Sequence, residues 1–294
     1  FLMIRRPSRS TLDRSSAASD VYKRQAFDDE NLSGRSQKLF FEVTEEENYT
    51  YYGNHEVDFN KRTSIDCEGI NAHELNQKIR DSIRKGYGSI VIKNPGAKHS
   101  LGVGILNKLN LIFEGSLGYF GIGCIDGPTV RVNGRVGWSC AENMMSGKVV
   151  VENNAGSCFG AALRGGDLIV KGDAGARTGI DMKGGTILIG GNAGAYTGFM
   201  MQRGRIIVCG DVNANMGDSM YDGIIFVGGE PHSLGTDCVP GEMNEHEVRW
   251  LEQKIKNAEI DCKVPASKFK KYVAGRMLWN YDNLEPAEKK GILG

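Results

Sequence analysis

Residues 168–186 read LIVKGDAGARTGIDMKGGT, and residues 187–205 read ILIGGNAGAYTGFMMQRGR. Laid over each other, the two segments match glycine to glycine at 172/191, 175/194 and 185/204. The register extends outward in both directions. Gly115, Gly134, Gly172, Gly191, Gly210 and Gly229 stand on one 19-residue grid whose single gap is filled by Asn153. Gly118, Gly137, Gly156, Gly175 and Gly194 follow three residues later in their units. Ahead of them run alternating apolar pairs: Leu111/Phe113, Val130/Val132, Val149/Val151, Leu168/Val170, Ile187/Ile189, Ile206/Val208 and Ile225/Val227. A repeat of about 20 residues marks a solenoid, because each unit buries its apolar face only by stacking on its neighbours.

Within one unit the physics selects the coil shape. Leu168 and Val170 alternate across a short strand and so share its inner side. Gly172 and Gly175 are expected to supply positive φ at a corner, and Gly185 to close the unit at a second one. Ile125, Met144, Leu163, Met182, Met201, Met220 and Val239 form a further apolar column, expected inside. Asn154, Asp173, Asn192 and Asp211 share a polar slot whose side chains can hydrogen-bond the turn backbone. The fold expected is an all-β solenoid, a right-handed parallel β-helix of seven or eight 19-residue coils with flanking N- and C-terminal helices. The 19-residue spacing and unequal sides favour that hand over the left-handed form, which repeats in hexapeptides.

The flanks differ in composition. Of 40 glycines, 34 lie between Gly86 and Gly241. Residues 1–25 read as a translated sequencing adapter: SSAASDVYKRQ at 15–25 resembles a translated transposase adapter whose last six residues back-translate to the transposon end, and MIRRPSRST at 3–11 resembles a flow-cell adapter. Without them the chain holds 30 basic and 34 acidic residues, a formal charge of −4, which gives no sign of a nucleic-acid partner. No apolar run reaches the roughly 20 residues that span a bilayer, so no membrane partner is expected; the free thiols described below fit a reducing cytoplasm. Residues 26–63 read as an N-terminal extension, 64–88 as a capping strand and helix, 89–241 as the β-helix, and 242–294 as a helix and tail. Asn71 with Glu74 caps the first helix, and Val248, Leu251 and Ile255 stripe the second.

Chemistry-bearing motifs are scarce. A dinucleotide-binding glycine turn needs a helix after it, and here a strand follows every cluster. The seven cysteines form no CxxC, so buried free thiols are expected rather than a zinc or iron–sulfur site. The five histidines neither recur on the grid nor pair at ligand spacing. Glu142 occupies a slot held elsewhere by Ala161, Ile180 and Phe199, and reads as a solvated edge residue. No catalytic, cofactor-binding or metal-binding residue is assigned.

One column resists a purely internal reading. Between the inward pairs stand Ile112, Arg131, Val150, Ile169, Leu188, Ile207 and Phe226. Strands apolar on both sides are covered on both sides. Ile112, Val150, Ile169, Leu188, Ile207 and Phe226 are therefore the candidate interface, covered either by the helices near 71–85 and 244–259 or by another subunit.

These residues carry a resemblance. The glycine grid together with AENMMSG (141–147), GDAGARTGIDMKG (172–184), FMMQRGRIIVCGD (199–211) and LGTDC (234–238) resembles the GXGXG-type β-helix of glutamate synthase. The similarity is nearest to the stand-alone subunit of glutamate synthase-like and N-methylglutamate synthase systems. It implies a chain without catalytic residues that holds a glutamine amidotransferase-like subunit beside a flavin-dependent synthase subunit, with FMN and an iron–sulfur cluster in the partners. A related β-helix in formylmethanofuran dehydrogenase keeps a second assignment open, and a self-contained carbohydrate-active β-helix a third.

Overall fold

A computed structural model describes residues 55–275. The adapter-like residues 1–25, most of the 26–63 extension and the end of the tail lie outside that range. The first element, β1 (Asp58–Asp66), already lies partly in what the sequence suggested was extension. Its polar, largely exposed residues hid it from an apolar pattern. Next come α1 (Ala72–Arg84), β2 (Tyr87–Lys93), β3 (Asn110–Glu114), β4 (Thr129–Val132), β5 (Lys148–Val151) and β6 (Asp167–Val170). β7 (Lys183–Ile189), β8 (Arg203–Val208), β9 (Ile224–Val227), β10 (Cys238–Gly241), α2 (Glu245–Asn257) and β11 (Lys270–Ala274) complete the order.

The strands form one sheet ordered β1 through β9, then β11, then β10. From β1 to β9 every neighbour is parallel, and Leu111, Val130, Val149, Leu168, Ile187, Ile206 and Ile225 pair in sequence, one per coil. A second ladder of single bridges links Leu117, Val136, Ala155, Ala174, Ala193, Val212 and Pro231. The molecule is the expected parallel β-solenoid, of about seven turns. The inward pairs and the column from Ile125 to Met220 are fully buried. Val239 departs from that column and is 38 % exposed. The last coil is one residue short, with Met216 bridging Leu234, so Cys238 takes the buried position instead.

The ends are closed by different devices. Leu75, Ile79 and Ile83 of α1 join the interior cluster at the first coils, and the Asn71–Glu74 capping box is present. At the other end β11 inserts antiparallel between β9 and β10. That strand was not expected, because KKYVA carries no 19-residue signature.

The glycine corners need correction. Gly134, Gly172, Gly175, Gly191, Gly194, Gly210 and their column partners are not at positive φ, Gly115 excepted. They are required by close approach between stacked coils. A Cβ on Gly194 would lie 2.4–2.7 Å from backbone atoms of Gly175 and Ala176, and one on Gly191 2.2 Å from Asp173 Oδ1. The closing column does adopt the left-handed region, as at Gly185 with φ 75°. A third set is marked in sequence only by Gly160, Gly179, Gly198 and Gly217, again 19 residues apart. Tyr196, Gly198 and Met200 have φ of 59°, 76° and 54°, and equivalent triplets recur in other coils. Alternation sends the N–H groups of Tyr196 and Met200 to Ala214 and Asp218 in the next coil, and that of Gly198 to Thr178 in the previous one. Non-glycine residues in this region cost about 1–3 kcal/mol each unless the surroundings enforce them. Bonding to both neighbouring coils supplies that enforcement.

The Asn/Asp column bonds between coils rather than within a turn. The N–H groups of Asp173, Asn192, Asp211 and Glu230 donate to Asn154, Asp173, Asn192 and Asp211 Oδ1, at 3.1, 2.7, 2.8 and 2.8 Å. Each side-chain oxygen sits where a Cβ on the grid glycine of the next coil would be. Asn192→Ala leaves the Asp211 N–H without its acceptor, and we expect a loss of about 1–2 kcal/mol, read as a lower urea midpoint with an unchanged m-value.

Candidate docking surface

The outward column divides into two halves. Ile169, Leu188, Ile207 and Phe226 are 0–5 % exposed and form a second apolar cluster with Leu251, Ile255 and Ala258. α2 therefore covers this half, and these four residues are not open to another chain. α1 takes no part in that cover, since its stripe faces the interior. Val150 is half-buried at the margin of the same cluster. Of the expected interface, only Ile112 stands clear of the helix, half-buried in a groove with Arg62, Val91, Asn110, Thr129 and Arg131.

α2 forms and docks for local reasons. Asn244 and Glu247 make a reciprocal capping box, and Val248, Leu251 and Ile255 fall on one helical face. Trp250 tilts against Phe226 with centroids 6.0 Å apart, and the Arg205 guanidinium lies 4.9 Å from the Trp250 ring centre. Burial lowers the Arg205 pKa, and the Glu247 carboxylate opposes that shift. Lys254 pairs with Asp167 at 2.8 Å, and Lys271 with Glu247 at 2.5 Å. Farther along, Arg131 meets Glu152 at 2.5 Å, and Glu152 also holds Lys171 at 3.0 Å.

A stacked aromatic row was missed in sequence. His99, Tyr119 and Trp138 stack with centroids 4.7 and 5.1 Å apart, and His99 Nδ1 accepts the Tyr119 N–H. Tyr119, Phe120 and Trp138 are 41–56 % exposed. The 19-residue step from Tyr119 to Trp138 was the available signal. Later coils hold Ser157, Ala176 and Ala195 there, so the coil itself needs no ring. An exposed aromatic cluster is the feature that a carbohydrate-active β-helix would be expected to show. The faces of His99 and Tyr119 are engaged in the stack, and Trp138 ends it.

The other candidate chemistry dissolves into structure. A Cβ on a grid glycine would meet the preceding coil, Asn154 at Gly172 and His99 at Gly118 among the contacts. Among the described residues, no three His, Cys, Asp or Glu side chains gather as a metal site. All seven cysteines are free, yet they are not uniformly buried: Cys124 is exposed, and Cys158 and Cys262 are intermediate. Glu142 is half-buried at the coil edge. Burial alone pushes the Cys140 and Cys238 thiols up to about 12, and Cys209 rises from burial first and then from the adjacent Cys262. A thiol held neutral in the fold but ionised in the unfolded chain favours unfolding at high pH. Stability should hold below about pH 9 and fall as pH climbs toward 12, as thermal melts would show. At neutral pH a maleimide should label Cys124 first and leave Cys140 unmodified until unfolding.

No helix among the described residues is long and apolar enough to cross a membrane. Residues 60–287 match the family described as GXGXG motif. Protein GlxC of Rhizobium meliloti (strain 1021) is 43 % identical over 226 residues, which cover 76 % of this chain and 98 % of that protein. A solved structure, the formyltransferase/hydrolase complex (FhcABCD) from Methylorubrum extorquens with methylofuran, contains a chain of similar fold. Its TM-score is 0.52 at 24 % identity, covering 73 % of this chain and 89 % of that one. The repeat, the parallel solenoid and the motif match over most of the sequence agree, and the chain belongs to the GXGXG motif family.

Proposed function

We propose that this chain is a non-catalytic subunit of a glutamate synthase-type complex, serving as a rigid spacer and docking surface. Its partners would be a glutamine amidotransferase-like subunit and a flavin-dependent synthase subunit, with FMN and an iron–sulfur cluster carried by them. The observation that carries this reading is the use of the coil positions. Inward residues fill the core, grid glycines admit the neighbouring coil, and the Asn/Asp column bonds backbone. What remains is surface, part of it apolar. The motif family, the 43 % identity to Protein GlxC and the resemblance of the glycine motifs to the glutamate synthase β-helix support this reaction class. The formyltransferase/hydrolase neighbour, at 24 % identity, supports the fold and favours neither its own substrate nor another.

Affinity purification of the full chain from its native host tests the proposal. Co-purification of an amidotransferase-like chain and a chain with bound flavin is the expected result. Recovery as a lone, flavin-free protein with hydrolase activity of its own would contradict it.

A further inference from the structure

α2 shows what this sheet face accepts. It runs along the solenoid axis: Trp250 lies at the Phe226 end, and Lys254 reaches Asp167 three coils earlier. Its apolar stripe fills the row from Phe226 back to Ile169, with ion pairs at the margin. The same row continues beyond the helix as the groove around Val91 and Ile112. There the flanking charges change. The groove is lined by Arg62 and Arg131 and by no carboxylate. Arg62 is exposed, and the Arg131 side chain is 47 % exposed despite its contact with Glu152.

From the Val91 row to the Val150 row there are three inter-strand steps of about 4.8 Å, or roughly 14 Å. A helix rising 1.5 Å per residue spans that in about ten residues. Helix-in-groove recognition uses apolar residues at i, i+3/i+4 and i+7. Cations at the groove margin select carboxylates flanking that stripe, and each exposed pair adds little energy but considerable selectivity.

We propose that the groove around Ile112 docks an amphipathic helix of a partner subunit, about ten residues long, with an apolar stripe flanked by Asp or Glu. The helix extends the line of α2 toward the first coil and completes the cover of the outer face. This rests on the reading of the chain as a subunit of an assembly, and it specifies which surface is used and what chemistry binds there.

The test uses the full chain with a photo-crosslinking benzoylphenylalanine at position 112 and two synthetic helical peptides. Both carry leucine at i, i+4 and i+7; one has glutamates on the flanks and the other lysines. The acidic peptide should bind, with fluorescence anisotropy giving an affinity at least tenfold above that of the basic one. It should also cross-link at position 112. Arg62→Ala/Arg131→Ala should weaken acidic-peptide binding at least tenfold, while Trp138→Ala, on the aromatic row, leaves it unchanged. Arg62 is exposed and Lys171 still holds Glu152 when Arg131 is removed, so thermal melts should show the double variant folded, with only the small loss of the Arg131–Glu152 pair. Equal binding of both peptides, or of neither, overturns the proposal. So does cross-linking of position 112 to residues 1–54 or 276–294 of the same chain, or to a second copy. Recovery of the partner chains without acidic-peptide binding removes this groove and leaves the proposed function standing.

Discussion

Gly194→Ala should destabilise the protein by about 3 kcal/mol or more, at the upper end of what one added methyl costs in a packed interior. The added Cβ would sit 2.4 Å from Ala176 N and 2.5 Å from Gly175 C, both backbone atoms of the previous coil. Neither can swing aside, because both belong to ladders that bond the coils together. Relief requires separating the coils locally, and that breaks the Ala174–Ala193 bridge beside it. Gly69→Ala is the matched control. Gly69 has φ +71° but open space around its missing Cβ, so it bears only the left-handed backbone cost of about 1–2 kcal/mol. Urea unfolding of both variants separates the two reasons for glycine. Equal losses would mean that the coils accommodate the added Cβ and that close contact is not what keeps this position glycine.

Leu188→Asp should release α2 while leaving the first coils folded. Leu188 is 2 % exposed, between the sheet and the helix. A carboxylate placed there without a partner costs several kcal/mol, at least about 3. The cheapest relief is to lift the helix into water, since the inward neighbours Ile187 and Ile189 point the other way. Hydrogen exchange should then show fast amides in α2 and retained protection in β3–β5. Limited proteolysis should cut near residues 245–265. Loss of protection throughout would show that helix and solenoid fold as one unit. Unchanged protection of α2 would show that Leu188 is not part of its seat.

How much of this was readable in sequence follows from which interactions are periodic. The strands and interior column were legible because each coil repeats the same burial every 19 residues. α1 was legible from its Asn71 cap and apolar stripe, and α2 from the stripe of Val248, Leu251 and Ile255 alone. Ahead of α1 a capping strand was expected from residue 64, but the start of β1 at Asp58 was missed because that strand is mostly solvent-facing; β11 was not legible, since it repeats no neighbour. The grid glycines were seen and given the wrong cause: sequence shows that a side chain is excluded, but not whether φ or an adjacent coil excludes it. In the left-handed triplets only the central column, Gly160, Gly179, Gly198 and Gly217, leaves a trace in composition; the flanking Tyr196 and Arg177 leave none, because stacking rather than residue type enforces them. For the docking face, the sequence showed that Leu188 and Phe226 must be covered. Choosing between the chain's own helix and another subunit needed the position of α2. The open half was hidden by Arg131, which breaks the apolar column and yet lines its groove.

The claim that this chain builds a surface rather than an active site is tested most directly by omission from the purified assembly. Turnover is measured for the chain alone, for its partners alone, and for the whole. The account predicts no turnover and no bound flavin for the chain alone. It also predicts that partners lacking it lose the coupling of glutamine hydrolysis to synthesis, and that adding it back restores the coupling. Turnover by the isolated chain, or full coupling without it, would contradict the account.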